Sequence, residues 1–222
     1  MLLAIAGMVG AGKSTLTRAL ASRFGLQMAL ESVDDDNPWL DRFYAEGEGS
    51  RRRWGLQLQL HFLASRFAAM RTMRAQGGSW IIDRTWYEDA EVFARGLHEQ
   101  GLVGDAEWQL YVSLYRELLH SPAARPPRLL LYLHAPLDVI LERIARRGRD
   151  KERDTEPDYW AALHARYAKW IAGFRHCPVL AIDVRDYDLV ADPSAVDVVA
   201  ARVRERLEPQ LPQTELFPAG TR

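Results

Sequence analysis

The chain has 222 residues, of which 48% are apolar and 27% charged, and its net charge is −1. This composition is typical of a soluble globular protein, and we predict a single domain over 1–222. A chain so close to neutrality has no overall field that attracts nucleic acid or an anionic membrane. The single cysteine cannot form an internal disulfide, the apolar start lacks the basic region of a signal peptide, and no apolar run reaches the roughly 18 residues of a membrane span. We therefore expect a cytoplasmic protein.

Short apolar runs alternate with long amphipathic segments along the chain. The runs are apolar throughout, as expected for strands covered on both faces, and the alternation predicts an α/β fold with a doubly wound, five-stranded parallel sheet. The predicted strands are 2–6, 27–30, 80–83, 129–133 and 179–183. The predicted helices are 13–24, 38–46, 54–75, 87–99, 104–119, 136–147, 157–174 and 193–207.

The composition of three segments predicts how buried or exposed they are. The segment 54–75 has apolar residues on more than one face, which indicates a buried central helix. The stretch EGEGSRRR at 46–53 is expected to be an exposed loop, and 209–222 a flexible tail.

The strongest motif is GMVGAGKST at 7–15, which matches the pattern G-x-x-x-x-G-K-[ST] and lies between a predicted strand and a predicted helix. A chance match in a chain of this length has a probability of about one per cent. Glycines allow the backbone N–H groups to face phosphate oxygens, the lysine reaches the β- and γ-phosphates, and the serine hydroxyl faces Mg²⁺. We expect the motif to bind the triphosphate of ATP through these residues: Gly7, Gly10, Ala11, Gly12, Lys13, Ser14 and Thr15.

Two further motifs narrow the reaction. The third strand ends in Asp83-Arg84, which suits phosphoryl transfer to a small acceptor: the acid can orient Mg²⁺ through water and the arginine can neutralise developing charge. The segment RIARRGRD at 143–150 predicts a lid that closes over the γ-phosphate, with arginines at 143, 147 and 149. A signalling GTPase would need an N/T-K-x-D motif, which is missing, and a motor ATPase usually has a strand ending in Asp-Glu. Each motif alone also fits an ordinary surface ion pair or a solvated basic face.

Taken together, these residues resemble the deoxynucleoside kinase family, which includes the bacterial deoxyadenosine and deoxyguanosine kinases. The resemblance extends from Leu2 to about Asp183 and rests on five motifs in the same order. Besides the phosphate loop, they are ALESVDDDNPWLDRFY, WGLQLQLHFLASR, DRTWYEDAEVFA and RRGRDKE. The resemblance implies a P-loop NTPase-type fold, with Asp-Arg-Thr in place of the family's Glu-Arg-Ser.

The resemblance also implies roles for individual residues. By position in the motifs, Glu31 accepts the 5′-hydroxyl proton and Arg84 holds the 5′-oxygen. The catalytic set is then Glu31, Arg84, Lys13, Arg147 and Arg149, with Arg143 as a further ATP ligand and with Ser14 and Asp83 (through water) at the metal. The residues expected to bind the deoxynucleoside are Glu31, Tyr44, Gln59, Arg66, Arg84, Asp89 and Glu152.

Within that set, Gln59 reads the base edge, Arg66 and Asp89 close the deep end of the base pocket, and Glu152 with Tyr44 holds the 3′-hydroxyl. Simpler interpretations remain open. Glu31 can be a helix-capping acid, Gln59 a satisfied core amide, and Asp89 a first-turn residue favoured by the helix dipole.

We thus predict transfer of the γ-phosphoryl of ATP to the 5′-hydroxyl of a deoxynucleoside in deoxynucleotide salvage, with deoxyadenosine preferred over deoxyguanosine and deoxycytidine third. A thymidylate kinase-like enzyme is the nearest alternative, but a glutamate within about 4 Å of a monophosphate costs roughly 1 to 4 kcal/mol. A non-catalytic nucleotide-binding regulator would need neither Glu31 nor the lid. Family resemblance further implies a homodimer, for which the helical segments 51–75 and 87–120 offer a surface.

Overall fold

The computed structural model describes five stretches of the chain, and its core is a parallel sheet with helices on both sides. The described residues are 1–29, 37–45, 47–148, 157–187 and 192–208. The strands are β1 (Leu2–Gly7), β2 (Gln27–Ala29), β3 (Trp80–Asp83), β4 (Leu129–His134) and β5 (Val179–Asp183). Their order across the sheet is β2-β3-β1-β4-β5, and every described pairing is parallel. The predicted α/β fold with five parallel strands is confirmed.

The helices cover the sheet and pack against its apolar strands. They are α1 (Lys13–Phe24), α2 (Leu40–Tyr44), α3 (Gly47–Gln76), α4 (Trp86–Glu88), α5 (Arg95–Glu99), α6 (Asp105–Leu119), α7 (Leu137–Arg147), α8 (Pro157–Gly173) and α9 (Pro193–Leu207), and a π-helical stretch (Asp89–Ala94) joins α4 to α5. Strands β1 and β4 are almost completely buried, as their uninterrupted apolar sequence predicts. Within the ranges given above, no helix combines the length and apolar character needed to cross a membrane.

The prediction of a loop at 46–53 is wrong, because the described residues 47–53 form the first two turns of α3. Two glycines and a serine give this stretch a weak helix propensity on its own. Two contacts of the Arg52 guanidinium stabilise the helix there: it donates to the Gly101 carbonyl at 2.8 Å, and it pairs with Glu48, one turn earlier in the same helix, at 3.2 Å. The same helix buries one face, which includes Leu58, Leu63 and Phe67, while Leu56, Leu60 and Phe62 are half-buried.

The order of the strands decides where a ligand can bind. The chain leaves β1 for β2 and β3 on one side, and then crosses to β4 on the other side. In such a sheet the loops after adjacent strands diverge at this switch point and leave a crevice at the carboxyl ends of the strands. The phosphate-loop motif follows β1 and the Asp-Arg motif ends β3, so the topology places both at this crevice.

Candidate active site

The phosphate loop runs from the last residue of β1 into the first turn of α1. Its glycines take left-handed or similarly restricted backbone conformations, with φ of 145° at Gly7, 83° at Gly10 and 91° at Gly12. A side chain is also excluded by contact at two of them: an added Cβ would lie 2.5 Å from the Leu133 carbonyl oxygen at Gly7, and 2.9 Å from Ile144 Cγ1 at Gly10. The glycines are therefore required by geometry, in keeping with a loop whose backbone N–H groups face an anion.

Lys13 and Ser14 begin α1, and their side chains bond to the phosphate loop and to the end of β3, respectively. The Lys13 side chain is buried, and its Nζ donates to the Met8 carbonyl within the same loop at 3.1 Å. Ser14 Oγ donates to Asp83 Oδ2 at 2.5 Å, and the other carboxylate oxygen of Asp83 is buried without a hydrogen-bond partner. The two residues predicted to be at the metal are thus in contact, and one acidic oxygen is left for a further partner.

Arg84 follows Asp83 in a strained conformation. With φ of 72° it is, among the described residues, the one position outside glycine with a positive φ, which costs about 1–3 kcal/mol. Its backbone N–H donates to the Ile5 carbonyl at 2.8 Å, and its guanidinium lies 4.5 Å from the centre of the Phe93 ring. Strain of this kind persists where surrounding structure imposes it, and it is frequent at active sites.

A second buried polar group lies between α3 and the π-helical stretch. Arg66 Nε donates to Asp89 Oδ2 at 3.0 Å, and its Nη1 donates to the Asp83 carbonyl at 3.4 Å. The side chain of Asp89 is 3% exposed and that of Arg66 12%. Gln59 is buried on the same helix, and its Oε1 has no hydrogen-bond partner. The Arg66–Asp89 pair predicted from the sequence is present, and Arg66 connects it to the end of β3.

Tyr44, at the end of α2, faces a residue that the sequence did not single out. The hydroxyls of Tyr44 and Tyr159, on α8, share a hydrogen bond, and both lie near the charges of Arg84 and Arg51. Although 38% of the Tyr44 surface is exposed, the hydroxyl end is enclosed, and the adjacent Tyr159 together with burial raises the pKa of Tyr44. Burial also raises the pKa of Tyr159. Both tyrosines therefore stay neutral hydrogen-bonding groups near neutral pH.

The remaining predicted site residues differ in whether the structure describes them and in what they contact. Arg143, on α7, donates to the Val184 carbonyl at 2.8 Å, a contact that supports the packing of α7 near the end of β5. Arg147 is exposed in the last turn of the same helix. Glu31, Arg149 and Glu152 lie outside the described residues, and their roles stay predictions.

Sequence reasoning missed Glu88, a fully buried carboxylate next to the phosphate loop. The local signal was the pattern T-x-x-E, because Thr85 and Glu88 form a capping box at the start of α4. No local sequence pattern predicts the contacts of Glu88 with distant parts of the chain.

Known proteins resemble the chain over most of its length. A model of the deoxynucleoside kinase family matches residues 3–208. The chain belongs to the deoxynucleoside kinase family. Its curated relatives include the deoxyadenosine/deoxycytidine kinase of Bacillus subtilis, 40% identical over 91% of both chains. They also include the deoxyadenosine kinase of Dictyostelium discoideum, 36% identical over 83% of this chain and 73% of the relative. The predictions of this family and of a deoxynucleoside kinase enzyme are confirmed.

Solved structures of this family have the same fold. The deoxyadenosine kinase from M. mycoides, described with products dCMP and a flexible dCDP bound, superposes with a TM-score of 0.78 over 92% of this chain and 100% of the other. Its sequence identity to this chain is 22%. The likeness confirms the architecture of the fold.

Proposed function

We propose that the protein transfers the γ-phosphoryl group of ATP to the 5′-hydroxyl of a deoxynucleoside, with Mg²⁺ at Ser14 and, through water, at Asp83. The observation that supports this most strongly is the position of Asp83. Its carboxylate contacts Ser14 of the phosphate loop, and its carbonyl contacts Arg66 of the buried pocket. One residue thus joins the segment proposed to bind the triphosphate to the segment proposed to bind the base.

The residues present fit a magnesium ion. Mg²⁺ in nucleotide enzymes is held by one or two protein oxygens together with phosphates and water, and Asp83 has a buried oxygen without a partner beside the Ser14 hydroxyl. Bound there, the ion would neutralise charge on the phosphates. In the part of the chain that the structure describes, no group of three or more acidic, His or Cys side chains is arranged as a metal cage, in keeping with a site completed by the nucleotide.

Lys13 and Arg84 supply the positive charge that the reaction requires. Phosphoryl transfer depends mainly on positioning and on the stabilisation of negative charge on the transferred group. Lys13 extends across the phosphate loop, and Arg84 is held at the end of the adjacent strand with its guanidinium over Phe93. We assign to Arg84 the task of holding the acceptor oxygen, and to Glu31 that of accepting its proton.

Gln59 and the Arg66–Asp89 pair set the preference for the base. The buried acceptor Oε1 of Gln59 suits the amino group of adenine or cytosine. The charged pair fills the space that a thymine methyl needs, and burying a methyl there leaves polar groups poorly satisfied. We propose deoxyadenosine as the preferred substrate, with deoxyguanosine next, and thymidine as the poorest.

Deoxycytidine is the second candidate as preferred substrate. The orientation of the Gln59 amide matches cytosine as well as adenine, and the Bacillus subtilis relative is named for both nucleosides. Tyr44 and Glu152 are proposed to hold the 3′-hydroxyl in either case.

The proposal is tested by measuring kcat/KM with ATP for the four deoxynucleosides and for dTMP. We expect transfer to deoxyadenosine and little to dTMP. Transfer to dTMP above all nucleosides would contradict the proposed reaction, and deoxycytidine in first place would contradict only the purine preference. In the same assay Glu31→Gln should lower kcat by roughly 10² to 10⁴-fold with a much smaller change in nucleoside binding. Near-normal turnover would exclude Glu31 as the base.

We also propose that the protein forms a homodimer through α3 and α6. These helices pack together, and α6 exposes Leu110 and Leu114 one turn apart, with 51% and 42% of their surfaces accessible. Analytical ultracentrifugation of the wild type and of Leu110→Glu tests this: the wild type should sediment as a dimer and the variant as a monomer. A monomeric wild type would contradict the proposal.

A further inference from the structure

Glu88 is a buried acid that the proposed reaction does not use directly. Its residue surface is 0% exposed, and its two carboxylate oxygens accept four hydrogen bonds. Oε1 accepts from the Gly7 N–H at 3.3 Å and from the Tyr167 hydroxyl at 2.9 Å. Oε2 accepts from the Thr85 N–H at 2.9 Å and from the Thr85 hydroxyl at 3.2 Å. Each oxygen is thus held from two sides.

The donors come from three parts of the chain that meet at the crevice. Gly7 is the first residue of the phosphate loop, Thr85 directly follows the strained Arg84, and Tyr167 lies on α8. Glu88 is 81 residues from Gly7 and 79 residues from Tyr167 along the chain. A single carboxylate therefore ties the loop predicted to hold the phosphates to the segment that presents the arginine.

Hydrogen-bond donors and positive charges partly compensate the charge of Glu88. Burial raises the pKa of Glu88 and the neighbouring Asp89 adds to that rise, while the positive charges of Arg84 and Lys13 and the Thr85 N–H counteract it. A buried carboxylate is costly unless it is hydrogen-bonded and paired. The four hydrogen-bond donors and the two positive charges offset part of that cost for Glu88.

Tyr167 extends this group beneath Arg84. Its ring meets that of Phe93 edge to face, with the centres 6.2 Å apart, and Phe93 lies under the Arg84 guanidinium. Tyr167 therefore contacts Glu88 through its hydroxyl and contacts the support of Arg84 through its ring.

We propose that Glu88 is a positioning residue for phosphoryl transfer, which sets the phosphate loop and Arg84 relative to each other and is oriented by Tyr167. This inference rests on the proposed function. Glu88 is assigned no contact with the substrate or the transferred group, and it acts through Gly7 and through Thr85, the residue after Arg84.

The decisive variant is Glu88→Gln, which keeps the volume but replaces one acceptor oxygen with an NH₂ group that faces a donor. We expect kcat to fall about 10- to 100-fold because the two halves of the site move apart by a fraction of an ångström to an ångström. The KM for deoxyadenosine should change by less than about threefold, since the base pocket is untouched. Melting temperatures are measured in parallel, and activity is assayed well below them.

The matched control is Val203→Ala, a fully buried position on α9. The next residue, Arg204, lies over Phe24 at the end of α1 opposite the phosphate loop. This variant should lower the melting temperature while leaving kcat within about twofold of wild type. If Glu88→Gln behaves like this control, Glu88 is a structural acid and the inference is overturned.

Tyr167→Phe keeps the test valid even if Glu88→Gln fails to fold. It removes one hydroxyl and leaves the ring against Phe93, so we expect kcat to fall about 3- to 10-fold with little loss of stability. If kcat of Tyr167→Phe is unchanged, the role of Tyr167 is overturned. If Glu88→Gln also fails to fold, that result overturns the inference as a whole. If Glu88→Gln folds, adding Tyr167→Phe to it should lower kcat by less than a further twofold, because both residues act through one contact.

Failure of the proposed function and failure of this inference give different results. A wild type that transfers no phosphoryl group to any deoxynucleoside contradicts the proposed function, whereas an active wild type with unimpaired variants contradicts only the role of Glu88.

Discussion

The two ends of the candidate site are built in different ways. The phosphate loop is a contiguous stretch in which glycines with φ of 83° and 91° set the backbone directly. The proposed base pocket is assembled from α3 and the π-helical stretch, and its two charged residues, Arg66 and Asp89, are 23 positions apart. The geometry of the first end depends on the backbone of one short segment, whereas that of the second depends on how side chains from two helices pack.

This difference predicts how variants at the two ends behave. A change in the phosphate loop should reduce transfer to every nucleoside by the same factor, because no base contacts it. A change in the pocket should alter the ranking of the nucleosides while leaving the KM for ATP unchanged. Kinetics with several nucleosides therefore separate the two ends.

The largest effect is expected for Lys13→Ala, which removes the buried ammonium of the loop. We expect kcat to fall by about 10² to 10³-fold, as for other preorganised groups that stabilise transferred charge. The factor should be equal within experimental error for deoxyadenosine, deoxyguanosine and deoxycytidine. A loss that differs strongly between nucleosides would show that the two ends are not independent.

The next effect concerns Gln59→Leu, which deletes the unpartnered amide oxygen from the pocket. The value of kcat/KM for deoxyadenosine should fall about 10- to 100-fold, since the amino group of the base is left unpaired. The KM for ATP serves as an internal reference and should not change. Gln76→Leu, an exposed position on the same helix, is the matched control and should behave as wild type. Equal loss in both variants would mean that Gln59 is only a core amide.

A smaller effect is expected from replacing the charged pair together, as Arg66→Leu with Asp89→Ala. Removing only one partner would leave a buried charge uncompensated and endanger folding, whereas the double variant frees space without that cost. We expect the ratio of kcat/KM for thymidine to that for deoxyadenosine to rise about tenfold, because the methyl group is accommodated. An unchanged ratio would place the basis of discrimination elsewhere.

The last effect is expected on stability rather than on kinetics, from Gly10→Ala. The left-handed φ and the approach of the new Cβ to Ile144 Cγ1 at 2.9 Å both oppose the substitution. We expect a loss of about 1–3 kcal/mol, which corresponds to a few degrees in melting temperature. Gly25 has a φ of 63° but open space around an added Cβ. Gly25→Ala therefore measures the cost of backbone strain alone, and we expect it to lower the free energy of unfolding by less than Gly10→Ala. Equal losses would show that the contact with Ile144 is relieved at no cost.

Local sequence predicted the bounds of several strands and helices and part of the candidate site. Strands 80–83 and 179–183 and helix 13–24 were predicted with the bounds that the structure has, because apolar runs and a glycine-lysine loop are signals within a few residues. Asp83 and Arg84 were identified for the same reason, as a short polar motif directly after an apolar strand. Glu31, Arg149 and Glu152, which lie outside the described residues, stay predictions.

What local sequence could not determine depends on contacts between distant segments. The first turns of α3 form despite two glycines, and Arg52 bonds there to Gly101, a contact that local sequence does not predict. The T-x-x-E motif determined that Glu88 caps a helix, but its burial against Gly7 and Tyr167 follows only when β1, α4 and α8 are brought together. The sequence alone thus determined the backbone of the phosphate-loop motif, because its geometry follows from glycine. The tertiary structure decided which charged side chains are buried, because a side chain is desolvated and paired only by elements that pack around it.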